Sequence, residues 1–313
     1  MPRHVLVIVN PASGRARRAA GRLRRVAADL ERRGCTVVIR QTRAAGDAER
    51  LAREAEPVFD LIVAAGGDGT VSEVANGLDG TSRPMAILPL GTGNVLARAA
   101  GLPRAPRRLA SLIAEGAPQT IWPGRVGGRL FVAMTGIGFD AEVVAALSQP
   151  LKRRIGRLAF AWAILRCLRR YRDCECVVEI DGVGCRVASV VILNGRCYAG
   201  GFVLAPAARL DDRLLHVVLF CRAGRVAVLR SLAAMLLGVL HRLPEVSVLA
   251  ARSVRVAGSP RVSDRPPLVE IDGDLDGPLP IALEIAAAPL LLVAAPPTGR
   301  LRGTVARSAC LRQ

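Results

Sequence analysis

The stretch Gly66-Gly67-Asp68-Gly69-Thr70 sits between the apolar run 61–65 and a helical pattern that starts at Val71. Glycines let a backbone approach a ligand closely, and a helix N-terminus offers unpaired N–H groups to an anion. A carboxylate in the same loop would repel a phosphate unless a cation or a moving proton lay between them. The set reads as a nucleotide-binding loop with metal or acid–base chemistry built in. Hydroxyls at Ser13, Thr70, Ser72 and Thr92 add further phosphate donors. Later in the chain come acids at turns, Asp211-Asp212 and Asp272-Gly-Asp274-Leu-Asp276. Phosphoryl transfer needs both kinds of group, a cation to screen the phosphates and a carboxylate to accept a hydroxyl proton. Each piece alone is ordinary, since Gly-Asp-Gly is a common turn and paired loop acids are usually solvated. Their joint occurrence carries the reading.

Charge and composition narrow the choices. The formal net charge is +18, and Lys152 is the only lysine among the 313 residues, so arginine carries nearly all of the positive charge. The phosphate-binding loop ending in Gly-Lys-Ser/Thr is absent, as is the lysine-centred signature of protein kinases. A nucleotide must be held by backbone amides, hydroxyls and arginine. Aromatics make up 3%, too few for a surface that binds single strands by stacking, so charge alone would have to argue for nucleic acid and none is expected. The eight cysteines show no paired metal-ligand spacing, Cys174-Glu-Cys176 being one residue short of a zinc knuckle, and read as reduced thiols. The longest apolar stretch, 226–240, is interrupted by Arg230 and is too short to cross a bilayer.

These groups need elements to place them. The first hundred residues alternate strand and helix: strands at 5–9, 36–40, 61–65 and 85–88, and helices at 15–33, 48–55, 71–78 and 95–100. Such a rhythm implies a parallel sheet with helices on both faces, and ligands beyond the carboxyl ends of the strands. The loops 10–14, 66–70 and 91–94 each follow a strand and are expected to converge on one edge. After Trp122 the texture changes to short β-rich runs at 129–134, 176–180, 187–193, 214–220, 253–256, 268–271 and 281–285, separated by turns such as Asp181-Gly182 and Asp272-Gly273. This predicts an antiparallel sandwich or barrel, interrupted by helices at 152–171 and 225–240. The division expected is an α/β domain over 1–122, a mainly antiparallel β domain over 123–287, and a basic disordered tail over 297–313. The run 288–296 could return to complete the first sheet.

The motifs, in order, resemble those of bacterial soluble diacylglycerol kinases, related to sphingosine and ceramide kinases. They are Val9-Asn-Pro-Ala-Ser-Gly14, Thr42 followed by Gly46-Asp47-Ala48, Gly66 through Gly77, Pro89-Leu-Gly-Thr-Gly-Asn94, Asn194-Gly, Gly200-Gly-Phe-Val-Leu-Ala-Pro206, Leu210-Asp-Asp-Arg-Leu214 and Ile271-Asp-Gly-Asp274. The resemblance spans residues 5–277 and implies a nucleotide-binding domain like that of NAD kinases and phosphofructokinases. It implies ATP held by Asn10, Pro11, Ala12, Ser13, Gly14, Thr42, Gly66, Gly67, Asp68, Gly69, Thr70, Val71, Ser72 and Thr92. It also implies Mg2+ at Arg209, Asp212 and Leu214, two of which can ligate only through their carbonyls, as suits a hard cation. Asp68 would act near the phosphates, and the proton acceptor falls on Asp274. Departures from the family pattern are aspartate at 274 where many members carry glutamate, Val95 where an acid is common, and Phe202 after Gly200-Gly201.

The function expected is transfer of the γ-phosphate of ATP to a hydroxyl of a diacylglycerol-like or sphingoid lipid, by a cytoplasmic protein peripheral to an anionic membrane. The segment 151–172 combines eight basic residues with Leu158, Phe160, Trp162, Ile164 and Leu165, the composition of either an interfacial helix or a core helix with a solvated basic side. A homodimer is left open. The rival readings are a kinase of a soluble substrate, such as an NAD kinase, and a catalytically silent lipid- or nucleotide-binding regulator.

Overall fold

The computed structural model describes residues 3–14, 16–147, 158–199, 201–259 and 267–295. Lys152 and its basic neighbours up to Arg157, Gly200 of the glycine motif and the 297–313 tail lie outside the described residues. In chain order the first elements are β1 (His4–Val9), α1 (Ala16–Arg32), β2 (Thr36–Gln41), α2 (Asp47–Arg53) and β3 (Leu61–Gly66). Then come α3 (Asp68–Gly77), β4 (Met85–Pro89), α4 (Val95–Ala99), α5 (Pro106–Glu115) and β5 (Pro118–Ile121). The next group is β6 (Gly124–Val126), β7 (Arg129–Phe131), β8 (Met134–Ile137), α6 (Phe139–Ala146) and α7 (Leu158–Arg169). β9 (Cys176–Ile180), β10 (Val183–Val187), β11 (Ser189–Leu193), β12 (Cys197–Tyr198), β13 (Phe202–Val203) and β14 (Leu215–Phe220) follow. The chain closes with α8 (Arg225–Leu236), β15 (Val246–Ala251), β16 (Ser253–Gly258), β17 (Val269–Ile271), β18 (Asp274–Leu275), β19 (Ile281–Ile285) and β20 (Leu290–Val293).

Contacts divide the chain into two compact units, one running to Pro123 and taken up again from Ala286, the other covering Gly124–Ile285. The first holds a six-stranded sheet in the order β2-β1-β3-β4-β20-β5, parallel from β2 through β20 and antiparallel at β5. β1 and β3 are buried on both sides because helices cover both faces. Val5, Val7, Val9, Leu61 and Val63 pack with Val26 and Leu30 of α1 and with Leu109 and Ile113 of α5. Helices α2 and α3 lie together and contact β1 and β3. The strand order reverses direction between β1 and β3, and in an open sheet that is where a crevice forms beyond the strand ends.

The second unit is a sandwich of two six-stranded antiparallel sheets, β10-β9-β16-β19-β6-β7 and β15-β14-β11-β8-β17-β18, with β12 and β13 as a separate hairpin. One core serves both sheets. Cys176, Val178 and Ile180 alternate inward from β9, and Leu215, Val217 and Leu219 do so from β14. Helix α7 buries Ala159, Ala163 and Cys167, one residue per turn, and its small inner stripe packs with α6. Cys35, Cys167, Cys174, Cys176, Cys185 and Cys197 are free thiols. Cys221 is disulfide-bonded, so a wholly reduced set does not hold there.

Candidate active site

Three loops of the first unit meet at the carboxyl ends of its strands. Asn10 closes its own turn, its Oδ1 accepting the Ala12 N–H at 2.9 Å, while its backbone N–H donates to the Ala65 carbonyl at 3.0 Å. Ser13 Oγ accepts the Gly67 N–H at 3.3 Å, joining the first loop to the second. The Gly66 carbonyl accepts the N–H groups of Leu90 at 2.9 Å and Gly91 at 3.2 Å, joining the second to the third. Backbones touch here: a Cβ on Gly91 would stand 2.5 Å from the Gly67 Cα, so only glycine fits. The Asn94 side chain pins the third loop, accepting from the Gly91 N–H at 3.1 Å and donating to the Gly91 carbonyl at 2.7 Å.

Helix α3 starts at Asp68, three residues earlier than the apolar pattern suggests, with extended Gly67 as its N-cap. Asp68, Gly69 and Thr70 therefore form the first helical turn, whose N–H groups lack partners within a helix. Val71, like Asn10, Ala12, Ser13, Thr42 and Gly67, has its backbone N–H bonded within the protein. Its N–H already donates to the Gly67 carbonyl at 3.1 Å and its side chain is buried, so it has no donor to offer. The Thr70 side chain is buried as well, leaving its backbone as the contributor. Thr42 is nearly buried just beyond β2, its N–H bonded to the Val9 carbonyl, while Ser72 and Thr92 keep partial exposure. The Asp68 side chain ties two loops together. Its Oδ1 accepts the Val95 N–H at 2.6 Å, capping α4 and locking the second loop to the third. Glu73 Oε2 likewise accepts the Ala48 N–H at 3.0 Å, and the Asp47 carboxylate gathers the N–H groups of Arg43 and Ala44, which shapes the loop after Thr42.

In the second unit, β17 and β18 form a hairpin in which Ile271 faces Asp274 across a two-residue turn. Both turn residues are left-handed, Asp272 at φ 50° and Gly273 at φ 93°, the geometry that matches strand twist. The two aspartates differ in fate. Asp272 is buried, and its carboxylate accepts the N–H groups of Val132 (2.9 Å), Ala133 (2.8 Å) and Met134 (3.1 Å) between β7 and β8. Asp274 is exposed at the start of β18. Arg209, Asp212 and Leu214 lie on one turn before β14. Asp211 engages the Arg209 guanidinium twice, at 2.8 and 2.6 Å, leaving Asp212 at 4.0 Å from it. Burial and the neighbouring Asp211 charge push the Asp212 carboxyl up. The Asp212 carboxylate and the backbone carbonyls of Arg209 and Leu214 offer oxygen donors alone, the kind a hard cation such as Mg2+ takes.

The diacylglycerol kinase catalytic domain family matches residues 4–126, and the YegS C-terminal NAD kinase β-sandwich-like domain family matches residues 133–294. A Pseudomonas putida protein named probable lipid kinase YegS-like is 37% identical over 73% of this chain and 79% of its own length. The chain belongs to the diacylglycerol kinase and YegS-like lipid kinase family. Within it, a Mycobacterium tuberculosis diacylglycerol kinase is 32% identical over 92% of this chain and 93% of its own. A crystal structure of a diacylglycerol kinase candidate from Bacillus anthracis str. Sterne superposes with TM-score 0.75 at 24% identity, covering 94% of this chain and 96% of that one, and shares the fold.

This family member also carries a buried acid cluster that sequence reasoning missed. The Tyr198 hydroxyl donates to Asp140 Oδ1 at the start of α6. Asp140 Oδ2 and Glu270 Oε1 are buried and have no other hydrogen-bond partner, and both close on Gly136, where a Cβ would stand 2.9 Å from Glu270 Oε1. Glu270, wholly buried, uses its other oxygen to accept the Gly273 N–H at 2.8 Å, holding the turn that leads into Asp274. Burial first, then the facing Asp140 charge, pushes the Glu270 carboxyl well up, and burial raises Asp140 too. Two facing carboxyls cannot both ionise in such a place, so the pair holds one proton between them. A signal existed in the sequence: a glutamate in the middle of the apolar strand 268–271.

Proposed function

We propose that the chain is an ATP- and Mg2+-dependent lipid kinase that transfers the γ-phosphate of ATP to a hydroxyl of a diacylglycerol-like or sphingoid lipid. The observation that carries this reading is the junction of the 10–14, 66–70 and 91–94 loops around the Gly67–Gly91 contact. In it the N–H groups of Asp68, Gly69 and Thr70 and the hydroxyls of Ser13, Ser72 and Thr92 supply donors to the phosphates, while Asn10 to Gly14, Thr42, Gly66 and Gly67 shape the loops that present them. Asp68 holds the second and third loops in register through its bond to Val95 and brings negative charge to the same place. Asp274, exposed on a rigidly tied hairpin, accepts the proton of the lipid hydroxyl. Arg209, Asp212 and Leu214 would hold Mg2+, which screens phosphate charge when bound.

The family supports a lipid acceptor, and helix α7 supports action at an anionic membrane face. Its outward side leaves Leu158, Trp162 and Leu165 exposed, with the Arg166 guanidinium over the Trp162 ring at 5.3 Å. Incubation with radiolabelled ATP, Mg2+ and vesicles of several hydroxyl lipids tests the reading, and label in the lipid phase is the expected result. Absence of transfer to every lipid would refute it. In the same assay Asp274→Ala is expected to lower kcat by about two to four orders of magnitude with little change in ATP affinity. Weakened ATP binding with kcat preserved would remove Asp274 from proton transfer.

A further inference from the structure

Helix α8 is amphipathic the wrong way round for a core helix. Ala234 is its single buried residue, while Val226, Leu229, Leu236 and the following Leu237 are 72%, 53%, 70% and 77% exposed. With Ala233 these positions recur every three or four residues, so they form one stripe spanning roughly a third of the helix circumference. Arg225 and Arg230 fall on its two borders at the same spacing. From Arg222 to Leu243 the sequence has four arginines and no acid, and the first acid beyond, Glu245, is buried against Arg230 at 3.1 Å. The Arg225 guanidinium donates to the Arg169 carbonyl at 3.1 Å and the Gly224 N–H to the Tyr171 hydroxyl at 2.8 Å, which sets the start of α8 beside the end of α7.

An outward apolar stripe of this size needs a cover. A second copy would bring the Arg225 border against further arginines, and Glu245, already paired with Arg230, leaves no free acid on this stretch to meet them, which repels. A leaflet bearing anionic lipids answers both features, accepting the leucines among its acyl chains and the arginines among its phosphates. We propose that the exposed face of α8 is a membrane-docking surface that lies in the headgroup region of an anionic bilayer, adding to α7. The inference deepens the lipid-kinase reading and rests on it for the choice of a membrane as partner.

The test is co-sedimentation of the full-length chain with vesicles of equimolar phosphatidylcholine and phosphatidylglycerol, comparing wild type with Leu229→Glu/Leu236→Glu. A second variant, Val226→Gln/Leu237→Gln, adds no charge and guards against an effect of charge alone. All four positions are exposed, so thermal stability should hold. The expected result is a loss of vesicle partitioning of roughly tenfold or more in both variants, with phosphorylation of a short-chain, water-soluble diacylglycerol unchanged without vesicles. Wild-type vesicle binding in both variants would overturn the proposal. So would light scattering that shows a wild-type dimer split by these substitutions, because the stripe would then face a second copy. If neither wild type nor variants phosphorylate any lipid while vesicle binding is still lost, the docking surface stands and the kinase reading fails.

Discussion

Replacing Glu270 by glutamine tests the shared proton directly. Glutamine keeps an oxygen to accept the Gly273 N–H, and its amide N–H can donate to Asp140 Oδ2, so it imitates the protonated acid at all pH values. In the wild-type unfolded chain the two carboxyls titrate near their ordinary values, 3.8 and 4.5, and both are ionised at neutral pH. Folding must therefore take up one proton. A folded pKa raised above the unfolded one gives stability that is full below the unfolded value and is lost as pH rises towards the folded value. The slope across that window is about 1.4 kcal/mol per pH unit for one proton. As pH rises above the unfolded values the wild type should lose stability relative to Glu270→Gln, by at most about 1.4 kcal/mol per pH unit, or roughly 3 to 6 °C in Tm per pH unit for a unit of this size. Thermal melts of both proteins over a pH series measure the difference, in which the titrating groups away from this pair cancel. Parallel profiles would show that no proton is held at this pair, and the reasoning from its two orphaned oxygens would be wrong.

Asp272→Asn should destabilise the second unit by about 3 kcal/mol, because the amide nitrogen would face a backbone N–H where a carboxylate now accepts three; urea unfolding measures it, and an unchanged midpoint would count against the anchor. Asp68→Asn keeps an oxygen for the Val95 N–H, so its melting temperature should stay within about 2 °C of wild type while phosphate transfer is lost; near-normal turnover would confine Asp68 to a capping role. Burial holds the His216 imidazole down at about 4, with its Nε2 unpartnered. A depressed folded pKa loses stability as pH falls from the unfolded value near 6.5, so the wild type should lose about 3 kcal/mol between pH 6.5 and 4 relative to His216→Leu. Equal acid sensitivity of the two proteins would rule out that assignment.

Much of the first unit can be read along the chain because its information is local. Apolar runs such as 61–65 bury a strand on both faces, glycines after each strand mark the loops, and Asn10, Gly66, Gly67 and Gly91 announce close backbone approach. Element ends were less legible. Asp68, Gly69 and Thr70 look like loop, yet they are helix once Gly67 caps them. Helices α5 and α6 and strand β15 passed unmarked in a sequence rich in alanine and arginine, where periodicity is weak. Strand β20, whose apolar run fits either unit, is placed between β4 and β5 by sheet pairing over a long separation.

The acids show the division most sharply. Asp272 and Asp274 are two residues apart and chemically identical, and nothing local says that one anchors three backbone amides while the other faces solvent. The hairpin turn and its docking against the β7–β8 connection make that distinction. Asp140, Tyr198 and Glu270 are spread over 130 residues and acquire meaning when three elements bring them to one buried point. Motif order and glycine spacing identify the chemistry because they act through the backbone nearby. Protonation, burial and the outward leucines of α8 depend on which surfaces meet, and that is a property of the folded chain.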